Sequence, residues 1–362
     1  MSPTLNTLDD SRLLLSPLLE IDFAGFNCRN PFWVASGPPS SEWEKIKALD
    51  EAGVGAIIGK TCCLDASLIH NPASRTAVQM LGKTKIGLIN TELISDKDIN
   101  EWERIMELAV EQLQCLFIPS VMEEPRKDAW QEIAYRFVKR GAKVIKLNLS
   151  CGHGMPERGM GGAVGEVPEA TFNTCSWVKE AVGDGIVVMA KMTGNGDIAS
   201  VTRAVLDAHC IPAGINTIRA LGGVDPKTGS PRPSNSGNGT RGSLSGPAIH
   251  WIACEKVATM AEIIRDEYDG AVPLVGIGGA DSWDTCLNFL RYGAIAAEMC
   301  TAFMFRDPKE LVRELSDGML AYMVEHNYSR ITEFVGASLP HVLGHSEHVK
   351  VHEQAKAKRQ LV

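Results

Sequence analysis

The sequence predicts an α/β fold, and within that class a parallel (β/α)8 TIM barrel with a short N-terminal β-hairpin and a C-terminal helical extension. Three observations point there. Eight apolar runs of β type alternate with eight helical patterns between residues 32 and 325. Reactive side chains gather where the runs end, on the face where a barrel keeps its chemistry. Glycine turns after the later strands lead straight into helices. A doubly wound open sheet is the competing α/β arrangement.

Residues 19–29 alternate and turn at Gly25, giving a small hairpin ahead of the main fold. Strands follow at 32–36, 54–60, 116–121, 144–149, 186–192, 214–218, 272–276 and 294–299. Helical patterns lie at 41–52, 97–114, 127–140, 168–182, 196–209, 247–268 and 281–292, and then at 308–325. In 97–114, Ile99, Trp102, Ile105, Met106, Ala109 and Leu113 recur at helical spacing and define one buried stripe. In 281–292, Asp281 reads as an acidic N-cap ahead of Trp283, Cys286, Leu287 and Leu290. The connections 62–96 and 220–245 both follow strands and are rich in Gly, Ser, Asn and Pro, so they should lie over the mouth and take part in function. No repeat, linker or low-complexity block suggests a second domain.

Composition narrows the function classes. The net charge is −8, and the 36 Lys and Arg residues form no basic cluster, so neither nucleic acid nor an anionic membrane is an expected partner. No apolar run approaches the roughly 20 residues needed to cross a bilayer. The N-terminus mixes Asp9, Asp10 and Arg12 with a short leucine run broken by Pro17, unlike a signal peptide. Ten cysteines sit at irregular spacing without a C-x-x-C pair, which gives no zinc or iron–sulfur signature. They read as reduced thiols, and the expected location is cytoplasmic.

Residues 144–150 alternate as a strand, and Asn148 and Ser150 stand where packing alone would place apolar side chains. Cys151 then opens a glycine-rich loop. A lone cysteine is commonly a small buried hydrophobe. A partly exposed thiol beside Ser150, Gly152 and His153 can instead exchange a proton or act as a nucleophile. Lys60 and Lys191 each end an apolar strand, where an ammonium is costly unless an anion meets it; snorkelling is the plainer alternative. Gly276-Ile277-Gly278-Gly279 and Gly242-Ser243-Leu244-Ser245-Gly246 precede helices, the setting of a phosphate cradle. Asn90, Glu92, Asn148, Asn216 and Thr217 should face the same mouth, where amide groups suit a planar ring bearing N–H and C=O; a turn or cap is the ordinary role of each.

Asn148-Leu149-Ser150-Cys151, followed by His153-Gly154-Met155 and Glu157-Arg158-Gly159-Met160-Gly161, resembles the active-site loop of the pyrimidine-reducing domain of dihydropyrimidine dehydrogenase, in the FMN barrel superfamily of class 1 dihydroorotate dehydrogenase. The similarity is collinear over about residues 20–305, through Asn30-Pro31-Phe32, Gly59-Lys60-Thr61, Asn90-Thr91-Glu92, Ala190-Lys191, Asn216-Thr217, Ser245-Gly246, Gly278-Gly279 and Cys300. It implies one FMN-binding barrel domain over residues 1–362, with 306–362 as the helical extension. The cofactor would be held by Ala35, Ser36, Lys60, Thr61, Lys191, Asn216, Ser245, Gly246, Gly278, Gly279, Cys300 and Thr301. The substrate ring would be held by Asn90, Glu92, Asn148, Asn216 and Thr217, with flavin N5 exchanging hydride and Cys151 the proton across a C=C/CH–CH bond. It further implies a homodimer and, since this chain has neither clustered cysteines nor a G-x-G-x-x-G fingerprint after an N-terminal strand, a separate reductase subunit as electron-transfer partner, a soluble acceptor or oxygen to close the cycle. A dihydroorotate dehydrogenase-like enzyme and a non-catalytic flavin-barrel subunit are the alternatives. Departures from the pattern are Gly152 and Pro156 in the loop, Lys146 in place of glutamate, and Arg219, which would meet an acidic substituent or form a surface ion pair.

Overall fold

The structure, a computed structural model, describes residues 17–71, 74–151 and 159–360. In chain order its strands are β1 (Ile21–Phe23), β2 (Phe26–Cys28), β3 (Phe32–Val34), β4 (Ala56–Ile58), β5 (Thr76–Leu81), β6 (Thr84–Asn90), β7 (Leu116–Ile118), β8 (Ser120–Val121), β9 (Val144–Asn148), β10 (Val187–Met192), β11 (Ile211–Gly214), β12 (Ile218–Ala220), β13 (Gly242–Ser245), β14 (Val275–Ile277) and β15 (Ala296–Met299). Strands β1 and β2 pair antiparallel across Ala24 and Gly25, both at positive φ, as a two-residue turn matched to strand twist requires. Phe23 then packs edge-on against Trp33, ring centroids 4.9 Å apart.

A parallel sheet runs in the order β7-β4-β3-β15-β14-β11-β10-β9-β8. Its two ends, β7 and β8, are one strand interrupted at Pro119, whose carbonyl still accepts a hydrogen bond from the Lys146 amide at 2.9 Å. The sheet therefore closes on itself as an eight-stranded TIM barrel. Barrel strands such as β3, β4 and β9 are buried at every position, because side chains fill one face and helices cover the other. Those helices are Trp43–Glu51, Ile99–Gln112, Lys127–Lys139, Pro168–Val182, Ile198–Asp207, His250–Glu267, Trp283–Arg291 and Pro308–Glu325. Several start where an aspartate accepts from the first free backbone amides: Asp98 from Asn100, Asp197 from Ala199, and Asp307 from Lys309. The stripe Ile99, Trp102, Ile105, Met106 and Ala109 is buried as its spacing predicts. Beyond the barrel, the C-terminal segment closes with the helix His345–Gln360. Among the described residues no helix is long and apolar enough to cross a membrane.

Three expectations need correction. The sixth strand is Ile211–Gly214 and not 214–218, so Asn216 and Thr217 stand just beyond its end. Pro212 brings no ladder donor, yet the segment pairs with both neighbours. The helix after β14 is capped by Ser282, which forms a capping box with Thr285, and not by Asp281. Finally, the connections 62–96 and 220–245 are not structureless. They build a second, antiparallel sheet in the order β12-β13-β6-β5, and Gly242–Ser245 is one of its strands. Gly87 makes this possible: a Cβ there would lie 2.0 Å from the Ser245 carbonyl oxygen.

Candidate active site

Between the ends of the barrel strands and the second sheet lies a cleft that, counted with the solvent space at its mouth, holds about 1040 Å³. Of the residues singled out from the sequence, these line it: Ala35, Ser36, Lys60, Thr61, Asn90, Glu92, Asn148, Cys151, Lys191, Asn216, Thr217, Ser245, Gly246, Gly278, Gly279, Cys300 and Thr301. Barrel strand ends supply one wall, since β3, β4, β9, β10, β11, β14 and β15 point the same way. The second sheet supplies the other, with Asn90 held by its amide donating to the Ser243 carbonyl at 3.2 Å.

A polar chain crosses the barrel end. Ser36 Oγ lies 3.1 Å from Thr61 Oγ1, which meets Ser120 Oγ at 2.8 Å and accepts from Asn148 Nδ2 at 3.0 Å. Asn216 Nδ2 donates to Ser150 Oγ at 3.0 Å and, at 3.4 Å, to Asn148 Oδ1. Side chains from five strand ends are thereby fixed before any ligand arrives, which lowers the ordering cost of binding. Cys151 follows this chain, half-buried, against a small apolar cluster that includes Cys63, Ile94, Met122 and Met160. Gly161 leaves room for it: a Cβ there would sit 3.0 Å from the Cys151 Cβ. His153 and its neighbours to Arg158 lie outside the described residues.

The charges are arranged in two tiers. Lys60 Nζ meets Glu92 Oε1 at 2.5 Å, and Arg75 meets the same oxygen at 3.0 Å. Deeper, Lys146 is paired with Glu298, both side chains fully buried. Glu298 also lines the cleft, and its Oε2 has no hydrogen-bond partner among the described residues. Burial lowers the Lys191 pKa, opposed by the charges of Glu298, Cys300 and Cys151. Burial likewise pulls Lys146 down to about 8 against the pull of Glu298, and pushes the Cys300 thiol up to about 11. The Lys146–Glu298 pair escaped sequence reasoning. A lone charge of each sign inside Val144–Asn148 and Ala296–Met299 was the available signal. Arg219 takes the surface role, pairing with Glu166 at 3.2 Å away from the cleft.

At the far end of the cleft, Gly246 (φ 86°), Gly278 (φ 128°) and Gly279 (φ 77°) turn ahead of helix starts. A Cβ on Gly279 would fall 2.7 Å from the Gly246 carbonyl oxygen and 2.8 Å from the His250 amide nitrogen. Thr301 Oγ1 donates to Ser245 Oγ at 3.1 Å on the same side. His250 braces the turn from below: Nδ1–H donates to the Gly278 carbonyl at 3.2 Å, so Nε2 accepts from Asn288 Nδ2 at 3.1 Å. Burial lowers its pKa, in keeping with a neutral ring. Backbone turns that exclude any side chain, set at helix N-termini, fit a phosphate group. A planar body bearing polar ring edges fits the span between this cradle and the Asn148–Asn216 chain, so the residues present fit FMN.

A barrel whose cleft joins a helix-end phosphate cradle, strand-end lysines and a thiol defines a cofactor-dependent oxidoreductase class. The chain belongs to the dihydroorotate dehydrogenase family, whose profile matches residues 18–323. It is an oxidoreductase acting on CH–CH bonds, and members of its family bind FMN. It is 36% identical to the chloroplastic dihydropyrimidine dehydrogenase (NADP(+)) of Arabidopsis thaliana, over 95% of this chain and 82% of that one. It is 29% identical to the catalytic subunit of dihydroorotate dehydrogenase B (NAD(+)) of Methanothermobacter thermautotrophicus, over 88% and 98% of the two chains. With the NAD-dependent dihydropyrimidine dehydrogenase subunit PreA of Escherichia coli it shares 28% identity, over 89% and 77%. The dihydroorotate dehydrogenase structure of Eimeria tenella superposes with a TM-score of 0.73 at 16% identity, covering 93% of this chain and 91% of that one, a likeness of fold.

Proposed function

We propose that this chain binds FMN and interconverts a C=C and a CH–CH bond in a neutral, pyrimidine-like cyclic amide. The observation that carries the reading is the meeting, in one cleft, of Cys151 with the amide row Asn148–Asn216 and the buried Lys191. FMN, when bound, supplies a two-electron acceptor or donor; Gly246, Gly278, Gly279, Ser245 and Thr301 would hold its phosphate, and Lys60 and Lys191 would flank its ring. Asn148 and Asn216 present both donor and acceptor edges and orient the substrate ring. Asn90, Glu92 and Thr217 complete that frame. Cys151 carries the proton to or from the ring carbon beside the one that exchanges hydride.

Charge separates the two candidate substrate types. A dihydroorotate-like anion needs a cation at the substrate wall, and among the described residues there, Lys60 and Arg75 both pair with Glu92. A neutral ring needs none. Electrons enter or leave through a separate partner, such as a reductase subunit. Anaerobic reoxidation of the reduced, FMN-loaded protein against uracil, thymine and orotate tests the reading. Uracil or thymine should reoxidise it fastest, and reoxidation by orotate alone would replace this proposal with the dihydroorotate reading. Cys151→Ala should keep the flavin absorbance and lose about 10²-fold or more in turnover; unchanged turnover removes the thiol from the mechanism.

A further inference from the structure

The geometry points to Lys146 as a positioning residue: by engaging Glu298 across the barrel it keeps that carboxylate from neutralising Lys191, and so leaves one positive charge facing the flavin. This rests on the FMN reading given above. In the closed ring of eight strands, β9 and β15 are separated by β10, β11 and β14, which places them on opposite sides. Lys146 projects from β9 and Glu298 from β15, and the two side chains meet within the barrel with no exposed surface. Glu298 lines the cleft from beneath, as does Lys191 of β10.

Three ionisable side chains thus share one buried space. A buried carboxylate takes the nearest ammonium, because an unpaired charge is costly there. With Lys146 present, Glu298 has a partner other than Lys191. The trio then carries one net positive charge at neutral pH, since Lys146 stays mostly protonated with a pKa of about 8. Without Lys146, Glu298 and Lys191 would cancel. The other charges that act on Lys191 come from Cys300, after β15, and Cys151, after β9; burial holds the Cys300 thiol neutral. Lys60 and Arg75 share the Glu92 carboxylate, an arrangement that reaches the other wall of the cleft and is the same whether or not Lys146 is present. The net charge that this trio places beneath the ring therefore turns on whether Lys146 is there. An ammonium in low dielectric favours the electron-rich, reduced form of a flavin over the oxidised form.

The test uses the full chain loaded with FMN and reads the midpoint potential of the bound flavin by spectroelectrochemistry from about pH 6 to pH 9. Lys146→Met should make the potential more negative, equivalent to a loss of about tenfold or more in the preference for reduced over oxidised FMN. The double variant Lys146→Met/Glu298→Gln should recover most of that loss, because Lys191 regains its uncompensated charge. A purely structural role would not be rescued by a second core substitution. Glu298→Gln alone leaves two desolvated ammonium groups together, so the inflection that Lys146 gives the wild type near pH 8 should move to lower pH. Wild-type potential in Lys146→Met, or a double variant no different from Lys146→Met, overturns the inference. If Lys146→Met does not fold, Glu298→Gln decides: a curve parallel to the wild type's overturns it equally. Wild-type protein that takes up no FMN would instead sink the proposed function itself.

Discussion

Where the barrel strands begin, Phe23 meets Trp33 edge-on, and Asn30 commits its amide to the Gly53 carbonyl and the Phe32 amide. Where the strands end, Ser36, Thr61, Asn148 and Asn216 are joined by hydrogen bonds but keep faces open to the cleft. Both ends are polar or aromatic and ordered, yet only one leaves donors and acceptors facing a cavity. The lesson is that packing alone is satisfied at the hairpin end, whereas at the cleft end the side chains are ordered for something they do not themselves complete.

This contrast can be broken most strongly at the hairpin. Phe23→Ala should cost about 3–5 kcal/mol of unfolding free energy while leaving FMN affinity per folded molecule unchanged, measured by denaturation and by fluorescence titration. A loss of FMN affinity there would mean that the two ends are coupled. At the other end, Gly279→Ala should weaken FMN binding by about tenfold or more, because its Cβ would strike the Gly246 carbonyl and the His250 amide. Its melting temperature should change far less than that of Phe23→Ala.

The His250 brace gives a smaller, pH-dependent effect. Burial depresses its folded pKa below the unfolded value near 6.5, so below that pH the unfolded chain binds the extra proton first. Stability contributed by the neutral ring is therefore present above about pH 6.5 and lost as pH falls toward the folded pKa, with a slope from this group of at most about 1.4 kcal/mol per pH unit. His250→Gln should flatten that part of the stability profile; an unchanged profile would assign the slope elsewhere. Least of all, Arg219→Ala should alter stability by no more than about 0.5 kcal/mol and leave kinetics untouched, as its half-exposed pair with Glu166 implies. A change in substrate preference would return Arg219 to the site.

Much of the barrel was legible because each helical stripe and apolar run had to bury itself in a stated period. The helices Pro168–Val182 and Pro308–Glu325 match the expected bounds, each opened by a proline at a position that needs no amide donor. Lys60 and Lys191 were visible as groups too costly to bury without purpose, and Cys151 as a thiol opening a glycine-rich loop beside polar neighbours. The second sheet was not. Strand β13 is Gly-Ser-Leu-Ser, poor in β-formers, and gains its partner Asn90 from a segment 153 residues away. Strands β5 and β6 did carry a signal, alternating β-formers about Gly82, that loop composition obscured. Glu298 and Lys146 were hidden for a related reason: each looks unfavourable until its opposite number across the ring is known.

That second sheet also sets an order of assembly. Its inner strands, β6 and β13, come from before β7 and after β11, so the lid over the cofactor cleft joins early and late parts of the chain. During synthesis the early barrel strands can emerge and begin to pair, but the roof cannot be completed until the ribosome has released residues 242–245. On the proposed FMN reading, cofactor capture is then a late event in biogenesis, and a nascent chain halted before β13 should acquire secondary structure without gaining the ability to retain a flavin.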